Sequence, residues 1–134
     1  MSASPARKRL TRARRIVVKV GSSTLTRDGR LRTRKVSELV RQIADLMDSG
    51  IEVVLVSSGA IAVGSFELGW TTRERSTREK QAAAAVGQIG LAELYRRRFS
   101  RRERLVGQVL VTRSGLADRE RFLNARHTLL ELLR

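Results

Sequence analysis

Two short segments carry the residue types that phosphate and carboxylate chemistry uses. In the first, Lys19-Val20-Gly21-Ser22-Ser23, an ammonium is followed by a glycine and two hydroxyls. Glycine lets the backbone approach an oxyanion, consecutive N–H groups make an anion nest, and a nearby lysine offsets charge on a transferring phosphoryl group. The spacing is not that of the P-loop, whose lysine follows its glycines and opens a helix, nor of the dinucleotide fingerprint, whose glycines are missing. The plainer alternative is a strand-to-turn glycine with a lysine at a sheet margin. Against that stands the cost of placing a charge in an apolar β run without a partner or ligand. In the second segment, Ser57-Ser58-Gly59-Ala60-Ile61, loop amides and the positive end of a following helix suit a carboxylate. A serine cap with a turn glycine is the plainer alternative here. Two such loops in one chain favour ligand binding over either alternative alone.

Other chemistries find little support. Ser58 has no Gly-x-Ser-x-Gly context and no histidine partner, and the single histidine, His127, lacks neighbours at ligand spacing. With no cysteine there is no disulfide and no thiolate metal site, and nothing points to an oxidising compartment. No metal ligands are assigned, and a cytoplasmic location is expected.

The two segments need elements to position them. Residues 15–20 (RIVVKV) form a β-branched run that breaks at Gly21, which predicts a first strand. From Thr33, apolar residues at Val36, Leu39, Val40, Ile43, Leu46 and Met47 recur at helical steps until Gly50 stops them. Residues 51–57 (IEVVLVS) are nearly continuously apolar, as in a parallel strand covered on both faces, and break at Ser58-Gly59. A short helix over 60–68 and a longer one over 79–99 follow; Gly87 and Gly90 within the latter imply close packing or a bend. Residues 105–112 (LVGQVLVT) read as a third strand, and Asp118 caps a last helix through Leu133. This order predicts an α/β fold, an open parallel sheet sandwiched by helices with right-handed crossovers. In such sheets ligands bind beyond the carboxyl ends of the strands, where both segments fall.

The 134 residues suffice for one core. Residues 1–14 read as a disordered basic leader, and 15–134 as the folded part. The leader lacks the apolar stretch of a secretory signal and is too short for a transit helix. No apolar run approaches the roughly 20 residues of a membrane span. The net charge of +15 invites an anionic partner. However, carboxylates are interleaved with the arginines, as in Arg78-Glu79-Lys80 and Asp118-Arg119-Glu120-Arg121, and the few aromatics sit at packing positions. Solvated helix surfaces explain this better than a nucleic-acid module.

Five segments are similar to the opening of glutamate 5-kinases, within the amino acid kinase family. They are VVKVGSSTLT (17–26), VLVSSGAIAVG (54–64), QAAAAVGQ (81–88), GQVLVT (107–112) and DRERFLNARHTL (118–129). The resemblance implies the family's three-layer fold, here incomplete. It implies transfer of the ATP γ-phosphoryl group, with Mg²⁺, to the side-chain carboxylate of L-glutamate, the first step of proline synthesis. Lys19 becomes the charge stabiliser, with Gly21, Ser22 and Ser23 the turn facing the ATP phosphates. Ser58, Gly59 and Ala60 become the glutamate loop. Members of the family continue through a further half of the kinase domain, often followed by a PUA domain. That half holds an aspartate and asparagine segment that helps bind glutamate, and the loops that grip the nucleotide. Homo-oligomerisation, or association with a separate C-terminal half, is therefore expected. Two alternatives remain open: a noncatalytic half-domain that binds an anionic ligand or partner chain, and another amino acid kinase.

Overall fold

The computed structural model describes residues 12–70 and 75–134. Residues 1–11 of the expected leader lie outside the described residues. In chain order the elements are β1 (Arg15–Val20), α1 (Ser22–Leu25), β2 (Thr26–Arg27), β3 (Arg30–Leu31), α2 (Thr33–Asp48), β4 (Glu52–Ser57), α3 (Ala60–Glu67), α4 (Thr77–Ser100), α5 (Arg113–Ala117) and α6 (Arg119–Leu132). The chain divides into two compact units at Arg104 and Leu105.

In the first unit β1 and β4 pair in parallel, with Arg15 opposite Glu52 and Val20 opposite Ser57. A parallel pair needs a long crossover, which α2 supplies. Its buried Val36, Val40 and Ile43 share one face by helical spacing. They join Leu91, Tyr95 and Phe99, a stripe of every fourth residue on α4, and Val20 and Leu25 to form the core. Val18, Val53 and Leu55 pack against this cluster from the sheet.

The ends of these helices are specified locally. The Gly50 amide donates to Met47 O at 2.9 Å and the Ile51 amide to Leu46 O at 3.1 Å. Gly50 holds φ +80 in this motif, so the turn that closes α2 also launches β4. At the start of α4, Ser76 and Glu79 form a reciprocal capping box. Helices α3 and α4 touch backbone to backbone: a Cβ on Gly64 would collide with Ala83 O, and one on Gly87 with Ala60 O. The close packing expected at Gly87 is therefore present.

Two expectations need correction. Residues 105–112 form no strand. The described sheets consist of the β1–β4 pair and the β2–β3 hairpin. β-propensity measures how well side chains fit a pleated, half-buried surface, and residues 105–112 have no ladder partner; Leu105 is fully exposed. The second correction concerns β4, read as covered on both faces. Among the described residues the helices cover one face of the pair, while Val17 is 63% and Val56 47% exposed on the other.

The second unit, Leu105–Arg134, contains α5 and α6. Thr112 Oγ1 accepts from the Gly115 amide at 3.0 Å to cap α5. Asp118 Oδ1 accepts from the Arg121 amide at 2.9 Å, so the expected cap of the last helix is present. Neither helix contains a buried residue.

Candidate functional site

Register brings the two candidate segments together. Lys19 lies opposite Val56 and Val20 opposite Ser57. Gly21-Ser22-Ser23 and Ser58-Gly59-Ala60 therefore leave the carboxyl ends of adjacent parallel strands, which run about 4.8 Å apart. The Ser58 amide donates to Val20 O at 3.2 Å, tying the loops across the sheet edge. A Cβ built on Gly59 would lie 3.8 Å from Ser22 Cα and 3.7 Å from Thr26 Cγ2, so the second loop rests on the first.

Each loop feeds a helix whose N-cap is a glycine without a side-chain cap: Gly21 for α1 and Gly59 for α3. A first helical turn leaves its leading N–H groups without partners inside the helix. Those of Ser22 and Ser23 in α1, and of Ala60 and Ile61 in α3, open at the same edge. The positive end of α3, with the leading amides of the single turn α1 beside it, suits an anion. Ser22, Ser23 and Ser58 are exposed there. Gly21 differs from Gly59 in why it is a glycine. Gly59 holds φ +118, a left-handed conformation that L side chains disfavour. Gly21 has φ −80, and nothing lies within 4 Å of where its Cβ would be. Neither its backbone conformation nor packing among the described residues requires glycine at position 21.

Lys19 sits on the face of β1 that the helices leave open, and it is exposed. The burial cost anticipated for a lysine in this apolar run is therefore not incurred. Its side chain alternates with Val18 and Val20, which face the core. Lys19 thus stands at the sheet end, one residue before the strand gives way to the loop.

Sequence reasoning missed two supports of this edge. Tyr95 reaches from α4 to Ser57, with Oη and Oγ 2.9 Å apart, and so anchors the end of β4. Burial pushes the Tyr95 phenol above its ordinary value, against a smaller downward pull from the Ser57 hydrogen bond. Thr26, also buried, donates its hydroxyl to Ser22 O at 3.0 Å and closes α1 from behind. The four-residue step from Ser22 to Thr26 was a usable signal, because Thr hydroxyls bond back by that interval in helices. The Tyr95 contact spans 38 positions and had no local signal.

Among the described residues no group of three or more His, Cys, Asp or Glu side chains is placed to hold a metal ion. No helix among them is long and apolar enough to cross a membrane.

A parallel α/β pair with two anion-receptive loops at one edge describes a class that the chain's relationships make definite. The chain belongs to the amino acid kinase family, whose profile matches residues 14–134. Among curated relatives, the glutamate 5-kinase of Paraburkholderia phymatum is 58% identical over 123 residues, covering 91% of this chain and 33% of that protein. The glutamate 5-kinase of Ralstonia nicotianae is 58% identical over 122 residues, with 90% and 33% covered. That of Burkholderia thailandensis is 56% identical over 123 residues, with 91% and 33% covered. The chain therefore spans about one third of the length of the curated relatives it matches.

Proposed function

We propose that this chain supplies part of the site of a glutamate 5-kinase, which moves the ATP γ-phosphoryl group onto the side-chain carboxylate of L-glutamate to give glutamyl 5-phosphate. The observation that carries this reading is the pairing of the Lys19 loop with the Ser58 loop at one sheet edge, joined through Ser58 N–H and Val20 O. Phosphoryl transfer depends mainly on alignment and charge neutralisation. The ammonium of Lys19 offsets charge on the transferring group, while the amides and hydroxyls of Gly21, Ser22 and Ser23 hold ATP phosphate oxygens. The Ser58-Gly59-Ala60 loop and the first turn of α3 hold the glutamate. Mg²⁺ would accompany the nucleotide as MgATP.

The similarity to proteins named glutamate 5-kinase supports this assignment and a place in proline biosynthesis. A chain without cysteine suits a reducing cytoplasm. Apolar side chains exposed on the sheet, Val17 and Val56, and in the second unit, Leu105 and Leu110, favour association with another copy or with a complementary polypeptide. The test is glutamate-dependent ATP turnover by the purified chain, alone and with a polypeptide supplying the remainder of a relative. Turnover with the complement, abolished by Lys19→Ala without loss of fold, is expected. Undiminished turnover in Lys19→Ala would remove the main assignment. Absence of turnover in both conditions would favour a noncatalytic half-domain.

A further inference from the structure

One side chain faces both loops of the sheet edge, although it belongs to neither. Thr26 is polar yet buried, and its backbone is fixed from two sides. Leu25 before it lies in the core and accepts the Arg32 amide at 2.7 Å, and Thr26 itself pairs with Leu31 across the β2–β3 hairpin. From this fixed point the two branches of the side chain serve different loops. Oγ1 donates to Ser22 O at 3.0 Å. Cγ2 lies 3.7 Å from where a Cβ on Gly59 would stand, and Gly59, held at φ +118, has no side chain of its own to fill that space. The Ser22 carbonyl does not need the hydroxyl for a partner, because the Thr26 amide already donates to it. Serine would supply the hydroxyl alone and valine the methyl alone, whereas threonine supplies both.

We propose that Thr26 is a positioning residue that sets the spacing of the two loops. Its hydroxyl fixes the Gly21-Ser22-Ser23 turn and its methyl props the Ser58-Gly59-Ala60 loop. The proposal rests on the reading of these loops as the phosphate and glutamate sides of one site. Phosphoryl transfer needs its reactants aligned, and a misplacement of about 1 Å is expensive, so the spacing of the loops acts on rate without Thr26 touching a substrate.

Thr26→Val and Thr26→Ser divide the two roles, and backbone amide exchange in the full chain reads them with no substrate present. In Thr26→Val the amides at positions 24 and 26, which bond Gly21 O and Ser22 O, should exchange about threefold to tenfold faster, as loss of one hydrogen bond implies. The amides of Ser58 and Val63, which bond Val20 O and Gly59 O, should keep their rates. Thr26→Ser should reverse this pattern. Combined with a complementary polypeptide from a relative, Thr26→Val should raise KM for MgATP by a similar factor and spare that for glutamate, and Thr26→Ser the opposite. Equal acceleration of both loops and of the amides in mid α2 would indicate a general loss of stability and overturn the proposal. Unchanged exchange in both variants would also overturn it, as would the divided exchange pattern with both KM values unmoved. Divided exchange in a chain whose parent shows no turnover would uphold the positioning role and remove the kinase reading instead.

Discussion

Gly21 and Gly59 each follow a strand and each open a helix, yet the backbone treats them differently. Gly59 is held at φ +118, whereas Gly21 occupies extended backbone with open space where a Cβ would stand. Gly21→Ala should therefore change stability by less than about 0.5 kcal/mol. If glycine is there to let phosphate approach, the same change should lower phosphoryl transfer about tenfold or more, because small misplacements at a reacting group are expensive. Turnover equal to that of the parent would show that position 21 is not a ligand contact. Tyr95 offers a test of the edge's foundation. Its neutral phenol is favoured by burial, so the folded value lies above the ordinary 10.0 of the unfolded chain. The sign follows: this stabilisation is complete below about pH 10 and is lost as pH rises through the folded value. Tyr95→Phe should cost about 1 kcal/mol near neutrality through the lost Ser57 bond, and the gap to the parent should narrow at about pH 11. A gap independent of pH would contradict the assigned environment.

At the scale of elements, the glycines of α4 separate packing from propensity. Adding a Cβ at Gly87 drives it into the carbonyl of Ala60, backbone that cannot step aside without moving α3. Gly87→Ala should cost about 2–3 kcal/mol or more, read from the urea midpoint. Gly90 is the contrast. A Cβ there meets Glu67 Oε1 at 3.0 Å, the far end of a flexible side chain. Gly90→Ala should be neutral or stabilising by up to about 1 kcal/mol, since alanine is the better helix former. Equal losses at both positions would mean that the α3–α4 contact is not backbone to backbone. The spans of α2 and α6 were readable from local signals, the Val36-Val40-Ile43 stripe, the Gly50 stop and the Asp118 cap, whereas α3 and α4 were read from their apolar, alanine-rich composition. The small β2–β3 hairpin was also signalled, by Asp28-Gly29 between short strands, and was overlooked. Residues 105–112 misled because their composition suits a strand while strand formation depends on a partner, which no local pattern encodes.

For the molecule as a whole, what sequence reasoning found is an edge rather than a finished site. Lys19, Gly21, Ser22 and Ser23 meet Ser58, Gly59 and Ala60 because two strands are parallel neighbours in register, a pairing that the strand, helix, strand order anticipated. The exposure of Lys19 and of Val17 beside it was not legible, since alternation tells which residues share a face and not what covers that face. The chain spans about one third of the length of the relatives it matches, so the proposed chemistry is best tested together with a complementary polypeptide. The most direct measurement is a residue-resolved amide NMR titration of the labelled chain, combined with a complementary polypeptide from a relative, first with MgATP and then with glutamate. The account predicts that MgATP moves the amides of Gly21, Ser22 and Ser23 and that glutamate moves those of Ser58, Gly59 and Ala60. Lys19→Ala should weaken the first response and spare the second. Amides in both loops that stay still while ligand binds elsewhere would contradict the account.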